Sequence, residues 1–402
     1  MTVLFFVCNR TNFRNRFWIL YFLAQKSEVL PYFLQCKGKE NVMSQYIKIA
    51  KRENNNKRGF LIVNPDLGKH VPQKPERIFD LFDKTAALFP KDWDPKRTLV
   101  IGFAETATAL GLHYACKNNC RFIQTTRESV PGMHEYLYFS EEHSHATAQY
   151  ILKGSFLVHL KTVNHIMFVD DEITTGKTVL NAITAIQKVS RRKLQYGITS
   201  VINSMTEEQY DTYTEKGIQI NCLERILQQD FAKEAERFEA NGLSRCISHG
   251  CWKSTDIKNV FGLSYGRHVV SPNYLSSLQQ TLTPVLEDMD VQGTVLVLGI
   301  EEFMYPGIWF AKKLEERGYD VRFHATTRSP IAVSKDEEYP LHDRFCMSSV
   351  NSPDRKTFLY NVKQYDHVFV FVERKYATQV GMDELKEVLE TCGNTDIKFF
   401  AL

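Results

Sequence analysis

The stretch His165–Leu180 reads HIMFVDDEITTGKTVL. It opens with an apolar run, His165-Ile-Met-Phe-Val169, of the length and composition of a buried strand. Asp170 and Asp171 follow, then the small-residue turn Thr174-Thr175-Gly176-Lys177-Thr178. Beyond it, Val179, Leu180, Ile183, Ile186 and Val189 fall at helical spacing on one face. Strand, acidic pair, turn and helix thus put the N–H groups of a helix start beside two carboxylates.

The Gly-Lys-Thr ending is shared with the nucleotide-binding loop Gly-x-x-x-x-Gly-Lys-Thr, whose first glycine makes the tight turn. Counting back from Gly176 puts Asp171 there, and a carboxylate would repel the phosphates without supplying the turn. A sugar phosphate suits the residues better. Thr174, Thr175 and Thr178 offer hydroxyls, and the N–H groups around Gly176 and Lys177 attract a phosphomonoester dianion. Asp170 and Asp171 can accept hydrogen bonds from the two hydroxyls of a ribose. A merely capped helix with surface carboxylates accounts for one threonine and not for the run.

Around this stretch, strand-like and helix-like segments alternate. Residues 59–63, 98–101, 121–125, 165–169 and 197–202 read as strands, and 104–116 as a helix. That alternation indicates an α/β domain with a mainly parallel sheet flanked by helices. A charged connector expected to be helical spans about 207–241. A second α/β block starts near Val291, with strands at 294–298, 320–323 and 367–372 and a helix over 308–317. The blocks resemble each other. Val100-Ile-Gly-Phe-Ala-Glu105 answers to Val297-Leu-Gly-Ile-Glu-Glu302, Phe122–Arg127 to Phe323–Arg328, and His165–Asp170 more loosely to His367–Glu373. The matches recur in order, roughly 200 residues apart, as a diverged copy would produce. The second block lacks the acidic pair and the threonine-rich turn.

Composition narrows the classes. A net charge of +3 is too close to neutral to argue for nucleic acid or membrane as partner. Nine scattered cysteines fit reduced thiols in a cytoplasmic protein. Cys246-Ile-Ser-His249-Gly-Cys251 lacks a second ligand cluster at zinc-finger spacing, so incidental thiols are the better reading. Residues 1–42 are expected to lie outside the functional fold, either as an early-called start or as a partner-binding arm. Their apolar run Phe17–Leu23 is far short of the ~20 residues that span a bilayer.

Phe168–Thr178 resembles the phosphoribosyl pyrophosphate (PRPP) loop of type I phosphoribosyltransferases. Gly59-Phe-Leu-Ile-Val63, Gly68-Lys-His-Val-Pro72, Gly102–Gly111, Glu142-His-Ser-His-Ala146 and Thr326-Thr-Arg-Ser-Pro330 are similar to a narrower bacterial group. Its members are phosphoribosyltransferase-like proteins with a C-terminal TRSP domain, found in tellurite-resistance and stress gene clusters. The resemblance implies a type I fold at 43–215, a TRSP-type α/β domain with its helical connector at 216–402, and PRPP and a base-like acceptor as ligands. It also implies Mg²⁺ held near Asp170 and Asp171 through ligand or water, and a nucleoside-like product. Asp170 and Asp171 would hold the ribose, and Thr174, Thr175, Gly176, Lys177 and Thr178 the 5′-phosphate. Purine-salvage members often carry an acidic residue where this chain has Thr174, which puts a hypoxanthine or guanine acceptor in doubt.

In that fold Ala104-Glu105-Thr106 sits at the pyrophosphate turn. Glu105 there either needs Mg²⁺ or a lysine between it and the phosphates or caps the following helix. Thr126 and Arg127 end the next strand, where Arg127 either clamps phosphate or forms a surface ion pair. Residues 128–150 correspond to a lid that excludes water, and His143 and His145 are candidates to face inward. The catalytic candidates are therefore Asp170, Asp171, Arg127, His143 and His145. In the second block, Arg328 and Ser329 are ligand candidates; otherwise that block covers the site or mediates homo-oligomeric assembly. Three functions stay open: a phosphoribosyltransferase, a non-catalytic PRPP or nucleotide sensor, and a hydrolase or lyase of a ribosyl phosphate.

Overall fold

The computed structural model describes residues 46–53, 58–128, 133–140, 149–226, 230–247, 257–260, 266–374 and 376–402. An antiparallel pair, β1 (Lys48–Lys51) and β2 (Phe60–Val63), precedes the first block. That block runs α1 (Pro75–Ala86), β3 (Thr98–Gly102), α2 (Thr108–Lys117), β4 (Arg121–Gln124), and a hairpin of β5 (Tyr136–Phe139) and β6 (Gln149–Leu152). It continues with α3 (Lys153–Leu160), β7 (His165–Ile173), α4 (Lys177–Val189), β8 (Gln195–Asn203), α5 (Glu207–Glu215) and β9 (Gln219–Arg225). A connector carries α6 (Phe231–Glu236), β10 (Leu243–Cys246) and β11 (Ile257–Asn259). The second block is α7 (Tyr274–Glu287), β12 (Thr294–Gly299), α8 (Tyr305–Glu316), β13 (Asp320–Ala325), a hairpin of β14 (Asp343–Ser348) and β15 (Lys356–Tyr360), β16 (His367–Val372), α9 (Gln379–Thr391) and β17 (Asp396–Ala401).

Continuous apolar strands such as Thr98–Gly102 and His367–Val372 are buried along nearly their whole length, as parallel strands covered on both faces must be. The first sheet has the order β4-β3-β7-β8-β9 and the second β13-β12-β16-β17-β11. Both are parallel throughout. The two blocks therefore share the order of their first four sheet strands, the helices after the first and third of those strands, and a hairpin after the second, which is the architecture of a duplication, although α3 has no counterpart between β15 and β16. They differ at one edge: β9 follows its sheet in the chain, whereas β11 precedes its own.

The two sheets share a core. Ile78 and Phe82 of α1, Leu110 and Tyr114 of α2, Leu278 of α7 and Ile308 and Phe310 of α8 belong to one apolar cluster with Val100 of β3 and Val297 of β12. The outer faces pack separately: Phe168, Ile183 and Ile186 under one sheet, Leu298, Val370 and Leu385 under the other.

The blocks also exchange strands. Gln73, ahead of α1, pairs antiparallel with Phe323 in β13, and Val270, ahead of α7, pairs with Phe122 in β4. Each exchanged segment starts Gly-cation-His-Val, Gly68–Val71 and Gly266–Val269, a fourth internal match. The glycines allow the crossing: a Cβ on Gly68 would lie 2.9 Å from Phe323, and one on Gly266 2.7 Å from Phe122.

Several elements depart from the sequence-based expectation. The stretch 207–241 is interrupted by β9, so the first sheet takes in residues beyond the boundary expected at 215. The helix expected from 104 begins at Thr108 because 103–107 form a turn. β7 runs past the apolar residues to Ile173, carrying the acidic pair within the strand. Residues 1–42 lie outside the described residues.

A shared core predicts cooperative melting. Ile308→Ala in α8 should cost about 2–5 kcal/mol and lower the melting of both blocks together, read by calorimetry with hydrogen exchange. A transition shifted in the second block alone would show that the cores are separate.

Candidate functional site

The chain leaves β3 toward β4 on one side of the first sheet and leaves β7 toward β8 on the other. The crevice at the C-terminal ends of β3 and β7 is thus the sheet's topological switch point, where open α/β sheets bind ligands. β3 ends its pairing with β7 at Gly102–Val169, while β7 continues beside β8 through Ile173. Asp170 and Asp171 therefore stand where their strand has lost one neighbour.

Both are half-buried. Asp170 accepts the N–H of Asp171 at 3.0 Å. Burial, with the Glu172 carboxylate next to it, pushes the Asp171 carboxyl up to about 6. Glu172 is engaged elsewhere, by Arg58 at 2.6 and 2.8 Å. Gly176 takes the left-handed conformation, φ 73°, at the start of α4. The Tyr213 hydroxyl donates to its carbonyl, and a Cβ on Gly176 would meet the Tyr213 ring at 2.7 Å. α4 has no side-chain cap, in contrast to α5, which carries a full capping box from Thr206 and Gln209. Of the N–H groups that open α4, that of Lys177 donates to Thr175 Oγ1 at 3.4 Å and that of Val179 to the Gly176 carbonyl at 2.9 Å, at the end of the helix that attracts anions. Thr174, Thr175 and Thr178 are half-buried around them, and Lys177 is exposed.

The second wall is the turn Phe103–Ala107, which contains a cis peptide at Ala104–Glu105. The N–H of Ala104 donates to Thr125 Oγ1 at 2.8 Å, and Gln149 Nε2 donates to the Ala104 carbonyl at 3.2 Å. Thr126 pairs through its backbone with Tyr150, so the β5–β6 hairpin is anchored to this wall. At its other end Asn181 of α4 donates to the carbonyl and hydroxyl of Ser140, both at 3.0 Å. The hairpin thus connects the two walls of the crevice. His143 and His145 lie outside the described residues.

Glu105 does not cap the following helix, and its carboxylate does have a lysine beside it. Its carboxylate is held by Lys69 and by the N–H and Nε of Arg328, both at 3.2 Å. Burial acts to raise its pKa, but those two cations outweigh it and keep Glu105 well below the usual carboxylate range. Thr126 Oγ1 and the Arg127 N–H turn to Glu302 of the second block, at 2.9 and 3.2 Å. Arg328 meets carboxylates on every side: Glu105, Glu302 at 2.7 Å, Glu128 at 3.2 Å and Glu301 at 3.9 Å. Its guanidinium does not face an open crevice. The N–H of neighbouring Ser329 is tied to Thr327 Oγ1 at 3.2 Å.

At the matching place in the second block, the α9 start is closed. Thr378 caps it by accepting from the Gly381 N–H, and its own N–H donates to the Val350 carbonyl at 2.8 Å. A Cβ on Gly381 would meet the Val350 backbone, so no room is left there. Glu373, the counterpart of Asp171, is ion-paired with Arg267. Lys69, Arg267 and Glu302 escaped the sequence reading of the site, although the Gly-cation-His-Val repeat and the quoted Val297–Glu302 match carried their signal. Tyr213 had none, because α5 reaches the loop only through the fold.

Among the described residues no group of three or more His, Cys, Asp or Glu side chains is placed to hold a metal. Two half-buried carboxylates suit Mg²⁺ only as partial ligands, with waters or phosphate oxygens completing an octahedron. Nor, among these residues, is any helix long and apolar enough to cross a membrane.

Asp171 gives a pH prediction. Its folded carboxyl keeps a proton that the unfolded chain releases, so this group's effect is to lower stability as pH rises from the unfolded value of 3.8 to about 6. Asp171→Asn should therefore melt above wild type at neutral pH, and the gap should close toward pH 4, read by thermal denaturation across pH. A variant equally destabilised at both ends would contradict the burial argument.

Residues 46–227 match the family described as phosphoribosyl transferase, and residues 264–389 match the TRSP domain found C-terminal to it. No curated protein sequence matches the chain. Among solved structures, adenine phosphoribosyltransferase from Giardia lamblia, complexed with 9-deazaadenine, is 13% identical over 46% of this chain and 100% of its own, with a TM-score of 0.34. The enzyme of the same name from Rhodothermus marinus is 15% identical over 45% of this chain and 95% of its own, TM-score 0.33. Orotate phosphoribosyltransferase from Aeropyrum pernix is 14% identical over 37% of this chain and 72% of its own, TM-score 0.25. With both family matches in chain order over most of its length, the chain belongs to the phosphoribosyltransferase-like proteins that carry a C-terminal TRSP domain.

Proposed function

We propose that this chain transfers a phosphoribosyl group from PRPP to a base-like acceptor, in the cytoplasm, toward a nucleoside-like metabolite that serves stress or tellurite resistance. The observation that supports the reading is the glycine-led, threonine-lined α4 start beside Asp170 and Asp171 at the switch point of the sheet. The α4 N–H groups, with the hydroxyls of Thr174, Thr175 and Thr178, receive the 5′-phosphate. Lys177, exposed in the first turn, adds positive charge there. Asp170 and Asp171 accept hydrogen bonds from the ribose hydroxyls. The turn at Ala104, Glu105 and Thr106, with Thr126 and Arg127, forms the pyrophosphate side. Glu105 contributes through its backbone, because its carboxylate is already paired with Lys69 and Arg328.

The reaction breaks the bond from ribose C1 to the pyrophosphate oxygen and forms one from C1 to the acceptor, whose proton passes to solvent or a nearby base. No covalent nucleophile is required. Asp170 and Asp171 would hold Mg²⁺, through water or the ligand, and the ion would supply charge neutralisation for the departing group. The hairpin anchored by Gln149 and Asn181 keeps water from the cationic C1. A bare sensor has little use for such a cover, which favours the enzyme.

The test mixes protein, PRPP, Mg²⁺ and a panel of bases and follows pyrophosphate release. Wild type should release it with at least one acceptor, and the double substitution Asp170→Asn/Asp171→Asn should lower the rate by about 10²-fold or more. PRPP bound without release for any acceptor would favour the sensor. No binding at millimolar PRPP would rule out the site itself.

A further inference from the structure

The two turns that flank the end of β3 are not held by the first block alone. Glu302 lies in the second block with its side chain fully buried. One of its oxygens accepts from the Arg127 N–H at 3.2 Å and Arg328 Nη2 at 2.7 Å. The other accepts from Thr126 Oγ1 at 2.9 Å, Gln124 Nε2 at 3.3 Å and Arg267 Nη2 at 3.1 Å. This carboxylate is saturated, so it cannot bind a ligand itself, yet it fixes the backbone and hydroxyl of the β4 end. Arg328 spans the gap to the other turn. Its Nε and N–H hold Glu105 while Nη2 holds Glu302, and its fork sets the spacing between them.

We propose that the second block is the positioning half of the first block's site, with Arg328 and Glu302 clamping the Glu105 turn and the Thr126–Arg127 strand end at the separation a pyrophosphate group requires. This rests on the reading of the first block as a PRPP site. The clamp does not touch the α4 loop: every partner of Arg328 and Glu302 named above lies on the pyrophosphate side or in the second block. The loop that would take the 5′-phosphate depends instead on Tyr213. The two ends of PRPP are thus held by different supports, and they can be uncoupled.

Ribose 5-phosphate, which has the 5′-phosphate but no pyrophosphate, separates the two ends. Titration calorimetry on the full chain with Mg²⁺ should show Arg328→Met weakening PRPP by about 10- to 100-fold while ribose 5-phosphate stays within about twofold of wild type. Arg328→Lys, which keeps the charge but not the planar fork, should recover part of the loss. Glu302→Gln, nearly isosteric, should give the same selective pattern. The proposal fails if the variants bind PRPP as wild type does. It fails equally if both ligands weaken together, since that is the signature of general destabilisation. If wild type binds ribose 5-phosphate but not PRPP, the clamp is wrong and the phosphate loop stands. If it binds neither, the underlying reading of the site falls.

Discussion

The carboxylate of Glu302 is the constraint on which the relation of the two blocks depends. It is fully buried and holds two arginines of its own block and three groups of the other. Its counterpart Glu105 holds Arg328 in the reverse direction. The contacts are those of a two-fold interface, where residue i of one half meets j of the other and j meets i. Around them gather Glu128, Glu301, Glu373, Lys69, Arg267 and Arg355. Burying so many ions is not a cheap route to stability, because desolvation offsets most of the attraction. Removing one partner, however, leaves a buried charge, at about 3–5 kcal/mol. Such a cluster therefore adds less to stability than to register: the shared apolar helices could slide, but the charges match in one arrangement only.

The same duplication sets two helix starts side by side, one led by glycine and one capped by threonine. Both blocks end a central strand with acidic residues and start a helix just after. In the first, glycine in a left-handed turn sits under Tyr213, and as the N-cap residue it brings no side chain to the helix start. In the second, Thr378 satisfies the helix start and Gly381 packs on the backbone of the neighbouring hairpin's end. A phosphate and a capping side chain compete for the same N–H donors, so a copy that caps itself has given up the ligand.

Much of this was legible in the residues. The β7 run, the acidic pair and the threonine turn follow local rules of strand, helix start and anion attraction. The order of elements in the first block came through for the same reason, since buried parallel strands are continuous apolar runs. β9 did not, because its polar Gln219–Arg225 strand is half-buried at an edge and reads like the charged helices around it. The hairpin inside 128–150 was hidden as well. Its pairing depends on contacts with Thr126 and Asn181 that lie far off in the chain. The second cation on Glu105 is not legible locally, because Arg328 lies 223 residues away. Local chemistry correctly flagged an awkward carboxylate, and only the tertiary fold shows the cations that satisfy it.

A symmetric pair of separate chains could not have taken this route. In a homodimer each site must be both ligand-binding half and support, and any substitution acts on both. Joined in one chain, the halves are free to diverge: Lys69 becomes Arg267, Ala104 becomes Glu301, and Asp171 becomes Glu373 facing that arginine. Of these changes only Ala104 to Glu301 adds a charge; the other two keep the sign and give the second block a longer side chain, with Arg267 and Glu373 ion-paired to each other. On the proposed reading of the first block, the loss of one phosphate loop and the growth of the clamp are a single process, in which residues of the second block hold the neighbour that keeps the loop.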